Sequence, residues 1–142
     1  MTPAQIALVR SSFDKVLPMS EQAAAIFYAR LFELAPQVRA LFKGDMKDQG
    51  RKLMAMLRTV VSVLDKPDVL VPAAERLAER HVGYGAQPAH YAVVGQALLD
   101  TLQTGLGAAF TTETREAWTT AYGTLSSVMI AAAGRMPAAT AP

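Results

Sequence analysis

Apolar residues recur every three or four positions along almost the whole chain, and no segment alternates apolar and polar residues for long. This spacing puts apolar side chains on one face of a helix, whereas a half-buried strand would alternate with period two. The periodic segments are separated by proline and glycine. They cover residues 3–17, 20–35, 36–42, 46–65, 68–82, 88–104 and the segment that follows residue 111. The pattern therefore predicts one all-α domain of seven or eight helices.

Polar residues at the starts of these segments predict how the helices begin. Thr2 and Gln5 have the spacing of a capping box, in which each side chain accepts a hydrogen bond from the other residue's backbone N–H. Ser20 is expected to cap the second helix and Thr111 the last one, since hydroxyl side chains are favoured at N-caps. Pro36 is expected to open a short third helix.

Length and composition agree with a single domain. The chain has 142 residues, and neither an internal repeat nor a linker divides it. We expect residues 1–136 to form the domain and the tail at 137–142 to be disordered. Apolar residues make up 51% of the chain and charged residues 18%. This excess of apolar residues is typical of a buried ligand, of a subunit interface, or simply of many alanines.

Charge and cysteine content exclude several classes of protein. The chain has no cysteine, which rules out disulfides, thiolate metal sites and iron–sulfur clusters. Its net charge is only +2, and residues 45–52 mix both signs, which is typical of a solvated helix face rather than of nucleic-acid binding. No apolar run is long enough to cross a membrane, and the N-terminus does not have the pattern of a signal peptide. We therefore expect a cytoplasmic protein.

The chain contains two histidines, and one has the position of a metal ligand. His81 ends an apolar stripe, four residues after Leu77. The Leu77 carbonyl could accept a hydrogen bond from one ring nitrogen, which would leave the other nitrogen neutral and oriented for a metal. Taken alone, this pattern favours a core histidine. His90, at a helix start, is expected to be a surface residue.

Two further polar residues lie where apolar ones are expected. Gln49 heads the apolar stripe of the fourth segment, although taken alone it is better explained as an exposed residue one turn into a helix. Tyr28 follows Phe27 on an inward face, where a buried hydroxyl needs a partner. With His81, these residues suggest a cavity for a planar, apolar cofactor that carries a metal. The chain shows no nucleophile elbow, zinc-protease motif or phosphate-binding glycine loop.

Six motifs, in their order and spacing, resemble the globin family. They are residues 27–32, 36–42, 49–54, 80–85, 89–99 and 117–123. The step of fourteen residues from Tyr28 to Phe42 fits the family as well. Over residues 3–134 the chain is similar to bacterial single-domain haemoglobins and to the globin domain of flavohaemoglobins. The resemblance implies the globin fold, with seven to eight helices around a haem pocket.

The resemblance also implies roles for individual residues around haem b, an iron protoporphyrin. His81 would be the proximal iron ligand and Phe42 would stack on the porphyrin. Tyr28, Gln49 and Leu53 would form the distal pocket over the bound gas. Four further cofactor contacts are expected, from Lys52 and Arg80 to the propionates, from Tyr91 behind the proximal imidazole, and from Val94.

The function implied is reversible binding of dioxygen, and of nitric oxide or carbon monoxide, at a five-coordinate iron. The alternative is a nitric oxide dioxygenase that works with a separate reductase, since the chain has no flavin or nicotinamide domain. Ala133 counts against this alternative, because the flavohaemoglobin pattern has a glutamate there. A gas sensor would carry an output domain. A helical module without cofactor would not need His81, Phe42, Tyr28 and Gln49 together.

Overall fold

The computed structural model describes residues 1–83 and 88–135, and these are helical almost throughout, with no strand in either range. The α-helices are α1 (Pro3–Val16), α2 (Ser20–Leu34), α3 (Met46–Ser62), α4 (Pro67–Gly83), α5 (Pro88–Leu106) and α6 (Thr112–Arg135). Short 3-10 helices span Leu17–Met19, Pro36–Leu41 and Gly107–Ala109.

The all-α prediction is confirmed, although the number of α-helices is smaller than the seven or eight predicted. Six α-helices lie in the two described ranges, because the predicted third helix is a 3-10 helix at Pro36–Leu41. The tail at 137–142, predicted to be disordered, lies outside the described residues. None of the helices in the described ranges is long and apolar enough to cross a membrane.

Two of the three predicted helix caps are present. The Thr2 hydroxyl accepts a hydrogen bond from the Gln5 N–H at 3.1 Å, and the Gln5 side chain accepts one from the Thr2 N–H at 2.9 Å. The Thr111 hydroxyl accepts from the Thr114 N–H at 3.2 Å. The prediction for Ser20 is wrong: Ser20 is the first residue of α2, and its N–H already bonds the Leu17 carbonyl of the preceding 3-10 helix. The chain enters α2 directly from that turn, so the N-cap position falls on Met19, whose side chain makes no cap hydrogen bond.

The core lies where α2 packs on α5 and where α1 and α4 pack on α6. Small residues such as Ala97 and Ala117 are fully buried at these crossings, which lets the helix backbones approach closely. Trp118 is buried on α6, and its indole N–H donates to the Ser12 hydroxyl of α1 at 2.8 Å. This bond satisfies a buried donor that would otherwise cost free energy.

A glycine sets the distance between α2 and α3. A Cβ atom added at Gly50 would lie only 2.9 Å from the Cβ of Ala24. Because only the Ala24 methyl group separates the two backbones, α3 lies directly against α2 at this point. Gln49 precedes Gly50 in sequence, so the close crossing brings its backbone beside α2.

The helices α3 and α4 have different neighbours. α3 packs on α2, whereas α4 packs on α6. Among the residues that the structure describes, α3 and α4 make no extended contact with each other. The two helices that carry Gln49 and His81 are therefore held by separate parts of the core.

Candidate functional site

His81 lies in the last turn of α4 and is fixed by a backbone group of its own helix. Its Nδ1 is 2.7 Å from the Leu77 carbonyl oxygen, so the hydrogen bond predicted from the spacing is confirmed. A carbonyl can only accept, so the ring donates from Nδ1 and carries its lone pair on Nε2. The half-buried imidazole thus presents the nitrogen that can ligate a metal, in a fixed tautomer.

Tyr91 of α5 lies beside this imidazole. The two ring centroids are 6.4 Å apart, with 33° between the ring planes. Tyr91 is buried, and burial raises the pKa of its hydroxyl above the usual value. Tyr91 therefore lies close to His81, as predicted, while any role of Tyr91 toward a cofactor stays a prediction.

A second tyrosine, which sequence reasoning missed, holds Tyr91 in place. The Tyr122 hydroxyl on α6 donates to the Tyr91 carbonyl at 2.6 Å. Its ring lies on Gly95 of α5, where an added Cβ would come within 2.7 Å of a ring carbon. An isolated glycine within a helix was the signal that could have indicated this close approach. Ala133, in place of the expected glutamate, is half-buried on the same helix as Tyr122.

Tyr28 and Gln49 meet where α2 crosses α3. Tyr28 is buried, and its hydroxyl lies 3.5 Å from the backbone carbonyl oxygen of Gln49, which is long for an O–H···O bond. Burial raises the pKa of the Tyr28 hydroxyl, and the neighbouring Gln49 acts in the opposite direction. Burial has the larger effect, so the pKa of the Tyr28 hydroxyl is raised overall. The hydroxyl therefore stays protonated and can donate at neutral pH.

Aromatic rings surround Tyr28. Its ring centroid lies 5.0 Å from that of Phe27 and 5.3 Å from that of Phe42, both in edge-to-face geometry. Phe32 stacks on Tyr28 at 6.0 Å and meets Phe42 at 5.4 Å. Edge-to-face and offset pairs of this kind are favourable and orient the rings. The structure thus brings Tyr28, Phe42 and Gln49 together, while their roles in a distal pocket and on a porphyrin stay predictions.

The remaining predicted cofactor contacts divide by burial. Leu53 on α3 and Val94 on α5 are half-buried and pack against the core. Lys52 and Arg80 are exposed, and within the described ranges neither side chain makes a hydrogen bond or an ion pair. The structure therefore presents two half-buried apolar side chains and two exposed cations at these positions, and their contacts with a cofactor stay predictions.

These residues fit a flat, apolar cofactor that carries a metal. One imidazole is oriented by its own helix, and the helices of His81 and Gln49 do not pack on each other in the described ranges. The apolar side chains of Phe42, Leu53 and Val94 leave part of their surface uncovered. Such a surface, with few polar groups, is typical of a cofactor site. Fold and site together are those expected of an all-α domain that holds a planar cofactor between helices.

The chain belongs to the globin family. The sequence profile described as "Globin" matches residues 25–129. Among solved structures, a hexacoordinated heme protein from an anhydrobiotic tardigrade has a TM-score of 0.86 and covers 95% of this chain and 96% of its own. Its sequence identity is 16%, so the likeness concerns the fold.

Curated relatives at higher identity are flavohemoproteins. Those of Bordetella parapertussis and Xylella fastidiosa are both 34% identical to the chain, over 133 and 131 residues. The matches cover 92% and 90% of this chain. They cover 33% of each relative, so the chain spans about one third of the length of these proteins.

Proposed function

We propose that this chain is a haem-binding globin that reversibly binds dioxygen. The observation that carries the proposal is the anchored imidazole of His81, whose Nδ1 donates to the Leu77 carbonyl, so that in the neutral ring the lone pair is on Nε2, the ligating tautomer. In metal sites, a ligating histidine is oriented in this way, because its other ring N–H donates to a carbonyl or carboxylate. Relatives named flavohemoproteins support haem as the group that His81 holds.

The proposed cofactor is haem b, with His81 as its proximal ligand. Phe42 would stack on the porphyrin face, and Leu53 and Val94 would supply apolar contact. The propionates would be neutralised by Lys52 and Arg80, which are exposed and have no other charged partner in the described ranges. Tyr91, buried beside the imidazole, would limit rotation of the His81 ring.

When bound, haem iron supplies a position for a diatomic gas and places partial negative charge on dioxygen. The Tyr28 hydroxyl is protonated and buried, so it would donate to that charge, and the Gln49 amide would act as a second donor. A hydrogen bond of this charge-assisted kind contributes about 1.5–3 kcal/mol. Dioxygen would therefore be held tightly and released slowly. Nitric oxide and carbon monoxide would occupy the same position.

We propose a five-coordinate ferrous form, because a glutamine amide is a poor iron ligand compared with imidazole. The structural relative is described as hexacoordinated, but at 16% identity it supports the fold alone. Absorption spectra of the purified protein in the ferric, reduced, and reduced oxygenated forms test the proposal. A five-coordinate ferrous spectrum and a stable oxygenated spectrum are expected. Failure to take up haem, or a six-coordinate ferrous spectrum, would contradict it.

A nitric oxide dioxygenase is the second candidate, and the flavohemoprotein relatives favour it. Dioxygen held by Tyr28 and Gln49 would react with nitric oxide to give nitrate, and a separate reductase would then reduce the ferric protein. Ala133 argues against strong activation, since it cannot supply the carboxylate expected from the flavohaemoglobin pattern. Sustained consumption of nitric oxide with a reductase and a nicotinamide cofactor would distinguish this candidate from an oxygen-binding protein.

A further inference from the structure

Arg39 links the polypeptide backbone to the aromatic rings around Tyr28. It lies in the 3-10 helix Pro36–Leu41, and its side chain is exposed. Its Nη1 donates to the Phe42 carbonyl at 3.0 Å, and its guanidinium carbon lies 5.4 Å from the centroid of the Phe32 ring. One side chain therefore contacts the Phe32 ring and the backbone of Phe42, the two residues whose rings flank Tyr28 on this side.

The Phe42 carbonyl needs such a partner because it lies beyond the end of a helix. Phe42 follows the 3-10 helix with φ −100° and ψ 104°, an extended conformation, so its carbonyl has no partner within the helix. The Phe42 N–H, in turn, donates to the Arg39 carbonyl at 3.2 Å. Arg39 and Phe42 are thus joined by two hydrogen bonds, which fix the direction in which the Phe42 ring leaves the backbone.

The direction of the Tyr28 hydroxyl depends on these rings. Its contact with the Gln49 carbonyl is 3.5 Å long, which is too long to fix the hydroxyl by itself. The ring of Tyr28 is instead fixed by Phe27 at 5.0 Å, Phe42 at 5.3 Å and Phe32 at 6.0 Å, and Arg39 contacts the last two of these residues. A shift of either ring would move the hydroxyl relative to a gas ligand.

We propose that Arg39 is a positioning residue for Tyr28: it holds Phe42 and Phe32 so that the Tyr28 hydroxyl points at the bound gas. The inference rests on the proposed function, in which that hydroxyl donates to dioxygen. Arg39 acts through the rings, and it neither contacts the gas nor ligates the cofactor.

The test is the Arg39→Met variant of the haem-loaded protein. Methionine keeps an apolar chain over Phe32 but removes the donor to Phe42 and the charge. The dioxygen off-rate should rise about 3- to 10-fold, within the range of coupling between residues in one network. Arg39→Lys, which retains a charged donor, should restore part of the loss. Arg115→Met is the matched control, because Arg115 lies 6.0 Å from the Phe110 ring and should leave the off-rate unchanged.

Two further readouts separate positioning from a general loss of structure. The C–O stretching frequency of bound carbon monoxide should rise in Arg39→Met, because a misplaced hydroxyl no longer draws electron density toward the gas. Hydrogen exchange at the Phe42 amide should be faster in the ferric protein, since the turn that Arg39 closes is weakened. An unchanged frequency with unchanged exchange would overturn the proposal.

A double-mutant cycle with Tyr28→Phe shows whether Arg39 acts through Tyr28. In the Tyr28→Phe background, Arg39→Met should change the off-rate less than about 2-fold, because there is no hydroxyl left to misplace. An equal increase in both backgrounds would refute a role through Tyr28. If Tyr28→Phe by itself leaves the off-rate unchanged, the proposed function of the distal pocket fails instead.

Discussion

The substitution Tyr28→Phe isolates the distal hydrogen bond, because it removes one oxygen atom and keeps the ring. The ring would still pack against Phe27, Phe32 and Phe42. The hydroxyl lies 3.5 Å from the Gln49 carbonyl, at the long limit for such a bond. Removing it therefore costs the folded state little hydrogen-bond energy. We expect the free energy of unfolding to fall by less than about 1 kcal/mol.

The effect on dioxygen should be much larger than the effect on stability. Loss of a charge-assisted hydrogen bond of about 1.5–3 kcal/mol corresponds to an off-rate that is about 10 to 150 times faster. The Gln49 amide remains as a donor in the variant, so we expect the lower half of that range. Carbon monoxide carries little charge when bound, so its off-rate should change less than about 3-fold.

The assay is displacement of dioxygen by excess carbon monoxide in a stopped-flow instrument, followed at the Soret band. Ser12→Ala is the matched control: it also removes a buried hydroxyl, the one that accepts from Trp118. That variant should lose about 1–3 kcal/mol of stability, because the indole N–H is left unpaired, while its dioxygen off-rate stays the same. An unchanged off-rate in Tyr28→Phe would refute the reasoning, as would equal changes for the two gases.

The remaining predictions concern the proximal side, a helix crossing and pH. His81→Gly should lose the five-coordinate ferrous spectrum, and added imidazole should restore it; a spectrum unchanged by the substitution would show that another group ligates the iron. Gly95→Ala should destabilise the protein by about 1–3 kcal/mol in urea unfolding, because the new Cβ meets the ring of Tyr122, which is anchored by its hydroxyl. Gly123→Ala, where nothing lies within 4 Å, should instead stabilise α6 by roughly 0.5–1 kcal/mol. Since burial raises the pKa of Tyr28 above the usual 10.0, its hydroxyl stays a donor and the dioxygen off-rate should be flat from about pH 7 to 10; a rise with a midpoint below 10 would contradict this.

Features that depend on one helix could be predicted from the sequence. The hydrogen bond between His81 and the Leu77 carbonyl follows from a separation of four residues, which helical geometry turns into proximity. The capping box of Thr2 and Gln5 is local in the same sense. Ser20 shows the limit of such reasoning, because the 3-10 turn before it places the N-cap position at Met19 and makes Ser20 the first residue of α2.

Features that depend on how helices cross could not be predicted. The bond from Tyr122 to the Tyr91 carbonyl joins residues that are 31 positions apart. The approach of Gly50 to Ala24 depends on the crossing of α2 and α3, although an isolated glycine beside Gln49 was a visible signal. The contacts of Arg39 required the path of the chain after α2, where a 3-10 helix replaces the predicted third helix.

The two sides of the proposed pocket therefore differ in how they are built. The His81 imidazole depends on one turn of α4, whereas the Tyr28 hydroxyl depends on α2, α3 and the 3-10 helix together. Substitutions in the packing around Tyr28 would thus adjust gas release without removing the iron ligand. His81 donates to a neutral backbone carbonyl, which raises the basicity of the imidazole less than a carboxylate would. In the proposed function, a proximal ligand of modest donor strength and a strong distal donor would favour holding dioxygen over cleaving its bond, which is the reason for preferring the binding function to the oxygenase.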